Sequence, residues 1–137
     1  MRTINVKFRK VFFFSLLIFF GCAKEKSNDS LSSFKPEITN QADNFQLQAT
    51  SVVNTTTTIS YTWKNNGSKA NIDKSGIITS GSGKLTIYDA NGLQVFTTDL
   101  KTTGSDISST GAAGDWKIKL DLTSYNGTLN FRVQKGG

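Results

Sequence analysis

One thiol, Cys22, and no histidine limit the chemistry open to this 137-residue chain. Without an imidazole there is no Ser-His-Asp triad and no Cys-His pair, and ordinary zinc sites lose their usual nitrogen ligand. Carboxylates remain. To hydrolyse a glycoside, two of them would have to stand about 5–9.5 Å apart across a cleft. Asp89, Asp99, Asp106, Asp115 and Asp121 are instead spaced as turn and strand-end residues, and a small sandwich offers no obvious cleft. No catalytic residue is assigned, and the chain is expected not to be an enzyme.

DANG at 89–92 carries the opening of a calcium-loop pattern, but lacks the further oxygen ligands and the glutamate at the twelfth position. A hairpin turn accounts for all four residues, so neither a metal nor a cofactor is expected. Trp63 and Trp116 fall in the inward phase of alternating segments and belong to the core. Tyr88 and Phe96 are out of phase with the apolar set and form the candidate recognition pair, for a protein or a glycan. Lys117, Lys119 and Arg132 share an outward phase, offset by Asp121. Aromatic residues do not interleave with them, so nucleic acid is not an expected partner.

The thiol has a distinctive setting. MRTINVKFRK is a basic opening, residues 11–20 are an almost wholly apolar run, and Gly21 then precedes Cys22. Basic flank, apolar run and small residue are the parts of a secretory signal. A membrane span would need about 20 apolar residues, and Lys24 arrives too soon. FFGC at 19–22 resembles the lipobox of bacterial lipoproteins, with two phenylalanines where Leu and Ala or Ser are usual. The resemblance implies cleavage between Gly21 and Cys22, acyl chains such as palmitate on the Cys22 sulfur, and attachment to the membrane. Ala23 stands where an aspartate would favour inner-membrane retention in enterobacterial lipoproteins, which implies the outer membrane instead. The mixed charges after Cys22 suit surface export.

Charge placement agrees with removal of a leader. The full chain carries +6, but four of its sixteen basic residues and none of its ten acidic ones lie in residues 1–21, leaving +2. Residues 22–43 are polar and Ser-rich and hold the one proline, so they read as a disordered tether. About 20 flexible residues reach roughly 25 Å.

From residue 44 to 137, period-two alternation dominates. FQLQA, TISYTWK, GIIT, GKLTIYD, LQVFTTD, DWKIKLDL and TLNFRVQ give about seven strands. A two-residue turn at Asn126 and Gly127 would pair Leu122 with Phe131 and Leu120 with Val133, with Asp121 facing Arg132. For YDANGLQV, Gly92 as a left-handed bulge pairs Asp89 with Leu93, Ile87 with Val95 and Leu85 with Thr97, leaving Tyr88 and Phe96 together on the outer face. Residues 102–114 read as a long loop.

Half-buried antiparallel strands must cover one face, and stacking two sheets does so. The expected fold is an all-β, immunoglobulin-like antiparallel sandwich, similar in its strand and turn patterns to small modules of envelope lipoproteins. The expected role is a lipid-anchored envelope protein with a non-catalytic domain for binding or accessory work. A purely structural module is the first alternative, and a minimal carboxylate-dependent hydrolase a remote one.

Overall fold

The computed structural model describes residues 34–137. The chain is all-β, with seven antiparallel strands: β1 (Glu37–Gln41), β2 (Asn44–Asn65), β3 (Ala70–Lys74), β4 (Ile77–Tyr88), β5 (Gln94–Asp99), β6 (Gly104–Ile107) and β7 (Gly114–Lys135). The expected fold class holds, in a sandwich-like form whose two layers are halves of one continuous sheet.

β7 is the central strand. β2 pairs along one side of it from Asn44↔Gln134 to Asn65↔Gly114. The other side carries β3, from Ala70↔Lys135 to Lys74↔Phe131, and then β4, from Ile77↔Thr128 to Tyr88↔Lys117. The result is a long three-strand ribbon folded in half. Straight, the 22 residues of β2 would run for roughly 70 Å. Instead its ends meet: the Asp43 N–H donates to the Lys64 carbonyl at 2.8 Å, and the Asp43 carboxylate accepts from the Asn66 N–H at 2.7 Å.

The crease lies where all three rows lose register, between Ala49 and Thr57 on β2 and between Ile78 and Ser82 on β4. Left-handed residues cluster there: Ser51, Asn54, Ser124, Gly81 and Gly127. Two of these glycines are obligatory. A Cβ on Gly127 would lie 1.9 Å from the Ile77 carbonyl oxygen, and one on Gly81 would lie 2.1 Å from that of Ser124. Bulges of this kind bend a strand and raise its twist.

Folding the ribbon presses two apolar faces together. One layer holds β1, the first half of β2, the second half of β7, β3 and β6; the other holds the remaining halves with β4 and β5. Phe45 in the first layer meets Tyr61 in the second at 5.3 Å between ring centres. Trp63 and Trp116 are paired across strands, edge to face at 5.9 Å, both fully buried as their phase predicts. Each indole N–H is satisfied, by the carbonyls of Gln41 and Ala112. Tyr125 is also buried and donates to the Thr128 carbonyl at 2.7 Å; burial pushes its phenol up to about 12.

The structure corrects several expectations. Asn126 and Gly127 do not form a hairpin: they lie inside β7, where Leu120 pairs with Ile59 and Leu85, and Phe131 with Leu47. Arg132 therefore faces Asp73, at 2.9 Å, and not Asp121. It also lies in the opposite layer from Lys117 and Lys119, so the three cations share no face. Folded structure begins before residue 44: Phe34 is in the core and β1 pairs with β2 from Glu37↔Gln48 to Gln41↔Asn44. The strand total matches by a different division. Three expected pairs of strands are continuous as β2, β4 and β7, while β1 lies in the expected tether, β6 in the expected long loop, and β3 in a stretch with no expected element.

Candidate functional site

The expected recognition pair separates once the β4–β5 hairpin is placed. Gly92 has φ 81° and the Asp89 N–H donates to the Leu93 carbonyl at 2.8 Å, so the left-handed turn is as expected. A bulge then follows between Ile87 and Tyr88, pairing Ile87 with Phe96 and Leu85 with Thr98 in place of Val95 and Thr97. Directly opposed residues share a face. Phe96 accordingly packs against the core beside buried Ile87, while Tyr88, opposite Gln94, lies on the outer surface. There the Lys117 ammonium sits 4.5 Å above the Tyr88 ring, a cation–π contact between adjacent strands.

Asp89 explains why DANG is a turn. Its carboxylate is buried and takes the N–H groups of Asn91, Leu93 and Ala112 at 2.8–3.0 Å. The Ala112 bond, followed by those of the hairpin itself, holds its carboxyl below the usual carboxylate range, against a smaller opposing effect of desolvation. Oxygens so occupied by donors are poorly disposed to a cation. Among the described residues, no group of three or more Asp, Glu, His or Cys is placed to hold a metal.

Contrary to the expectation of a cleft-free surface, an open cleft of about 570 Å³ lies between β4, β5 and β7. Ser82, Lys84, Thr98, Asp99, Asp121 and Thr123 line it. Lys84 is paired with Asp99 on one side and Asp121 on the other. The Thr58 hydroxyl donates to Asp121 at 2.6 Å and Lys119 lies 3.3 Å away. The Thr58 bond above all, then Lys119 and Lys84, lowers the Asp121 carboxyl. General-acid catalysis requires the opposite, a carboxyl raised toward neutrality. Asp43 and Asp73 are displaced downward too, each chiefly by hydrogen bonds, from Asn66 and from Ser105. The arrangement suits polar contact with hydroxyl-bearing or charged groups.

Lys74 had no assigned role in the sequence and is the most unusual polar residue of the fold. Its side chain points into the space between layers, 4% exposed, with Asp106 Oδ2 at 2.9 Å and Thr98 Oγ1 at 2.8 Å. It serves the architecture, tying three strands together. Gly21 and Cys22 lie outside the described residues. Among those described, no helix is long and apolar enough to cross a membrane.

Compared with protein families and with curated proteins, the chain matches none. Among solved structures it is similar to a chain in the crystal structure of accessory secretory protein 1, 2 and 3 in Streptococcus pneumoniae, at 9% identity and a TM-score of 0.36, over 76% of this chain and 87% of that one.

Proposed function

We propose that this protein is a lipid-anchored component of a bacterial cell envelope whose β domain binds or supports a partner without catalysing a reaction. The observation that carries the reading is Cys22 itself, the only thiol, placed directly after a basic opening, a ten-residue apolar run and Gly21. Several acyl chains on that sulfur would hold firmly, since each buried methylene contributes about 0.8 kcal/mol and one chain alone holds only marginally. Ala23 favours the outer membrane.

The domain's features support a binding or accessory role over chemistry. Its shifted carboxyls are all lowered and its buried lysine is neutralised by Asp106. The outward Tyr88 with Lys117 is the recognition surface of this reading, for a protein or glycan partner. Replacing Cys22 with Ser and fractionating cells tests the anchor: the variant leaves the membrane fraction, whereas unchanged fractionation contradicts it. Tyr88→Ala with Lys117→Ala tests recognition by cross-linking in cells. Loss of a cross-linked partner with the fold intact supports it, while an unchanged pattern favours the purely structural module.

A further inference from the structure

The crease end of the folded ribbon differs in chemistry from the rest of the surface. Residues 44–63, 75–83 and 122–131 contain no charged side chain. The fold brings these three segments side by side, with Gly127 paired to Val52 on one side and to Ile78 on the other. Most exposed side chains there are Ser, Thr and Asn. Flanking the same rung are two exposed branched aliphatics, Val53 (57%) and Ile77 (65%). Each adjoins a residue packed into the core, Val52 and Ile78, and so projects from the outer surface. Charged side chains flank these segments: exposed Glu37 lies opposite Gln48, and the Leu100 N–H, between exposed Asp99 and Lys101, donates to the Gly83 carbonyl at 2.9 Å. Scattered exposed aliphatics are ordinary; two flanking one rung of a hydroxyl-rich crease are not scattered.

The chain approaches the fold from this same end. In β1, Gln41 lies at the far end beside Asn44, while Glu37 pairs with Gln48, next to the crease. Phe34, just before it, is fixed in the core. Only eleven residues separate Phe34 from Cys22, and a chain of that length spans at most roughly 40 Å even when fully extended. That is about the diameter of a domain of this size.

We infer that the crease end is a membrane-contact surface, on which Val53 and Ile77 dip into the lipid headgroup region while the β4–β5 hairpin tip at Leu93 points away. The inference rests on lipidation of Cys22. Physically, the three ion-free strand segments lose little on approaching a bilayer, their hydroxyl and amide groups can bond to headgroup oxygens, and the aliphatic tips gain from leaving water, while the flanking charges stay at the level of the headgroups.

The substitutions Val53→Cys, Ile77→Cys and Leu93→Cys, made one at a time in the full-length lipidated protein and labelled with an environment-sensitive fluorophore, test it. The Cys22 sulfur is then already capped. The protein is reconstituted in phosphatidylethanolamine–phosphatidylglycerol vesicles with and without nitroxide-bearing lipid, and the Trp63–Trp116 near-ultraviolet signal reports that each variant is folded. The expected result is a blue shift and several-fold stronger quenching at positions 53 and 77 than at 93. Equal quenching at all three, or stronger quenching at 93, overturns the inference while leaving the anchor intact. A blue shift at 53 and 77 that grows with protein concentration in detergent and ignores the nitroxide overturns it in favour of a second copy of this chain. Protein that fails to float with the vesicles overturns the anchor reading itself.

Discussion

Lys74 Nζ lies 2.9 Å from Asp106 Oδ2 and 2.8 Å from Thr98 Oγ1, so a single ammonium ties β3 to β6 beside it and to β5 in the opposite layer. A buried cation is tolerated only when paired and hydrogen-bonded. Removing one partner of a fully buried pair costs about 3–5 kcal/mol; Asp106 is 45% exposed, so water replaces part of what it supplies. Asp106→Ala should destabilise by about 1–2 kcal/mol, discounted for that exposure. Lys74→Met, which removes the buried charge and keeps the volume, should cost less. Urea unfolding at constant m-value measures both, and a neutral Asp106→Ala would show that the pair is dispensable.

The crease predicts a graded series of glycine substitutions. Gly127→Ala and Gly81→Ala each force a methyl into a carbonyl oxygen at positive φ, and should each cost on the order of 3 kcal/mol. Gly92 has a similar φ of 81° but open space around it, so Gly92→Ala should cost only about 1–2 kcal/mol, from the left-handed backbone alone. Thermal or urea denaturation that ranks Gly92→Ala as the most damaging of the three would contradict a crease held by close backbone approach.

Asp89 gives a pH dependence whose sign follows from its bonds. The Ala112 N–H, then those of Leu93 and Asn91, hold its folded-state carboxyl below the usual carboxylate range. Its contribution is therefore fully present above the unfolded carboxylate pKa and is lost as pH falls through the lower folded value. Asp43, Asp73 and Asp121 act in the same direction. Stability should hold from neutrality down to about pH 4 and then decline. Asp89→Asn should lower stability at neutral pH, because the amide nitrogen cannot accept the Ala112 N–H, and should make the acid decline shallower. Parallel acid profiles for the two proteins would show that Asp89 is not linked to folding.

How far the fold was legible depended on what a change of phase can mean. Inward positions in β7 are even-numbered through Leu122 and odd-numbered from Tyr125 onward. A hairpin at Asn126 and Gly127 produces the same switch as a bulge near Ser124, and the dipeptide suits both. Within each half the alternation holds, and Phe45, Leu47, Trp63, Trp116 and Leu120 are buried as their phase predicts. β3 has no clear signature because Lys74 occupies an inward position after Ala70 and Ile72, and its partners Thr98 and Asp106 lie 24 and 32 residues away. Tyr88 was recognisable as an outer aromatic; Phe96 was not separable from it, because the bulge that turns it inward has no signature of its own. Lys117 over Tyr88 depends on strand pairing, which sequence spacing does not specify.

The lipid-anchored reading stands on acyl chains at the Cys22 sulfur. Mass spectrometry of the N-terminal fragment, from protein isolated in its native membrane, measures them. The expected fragment begins at Cys22 and is heavier than its sequence by a diacylglyceryl group; an unmodified Cys22 still joined to Gly21 would overturn the reading.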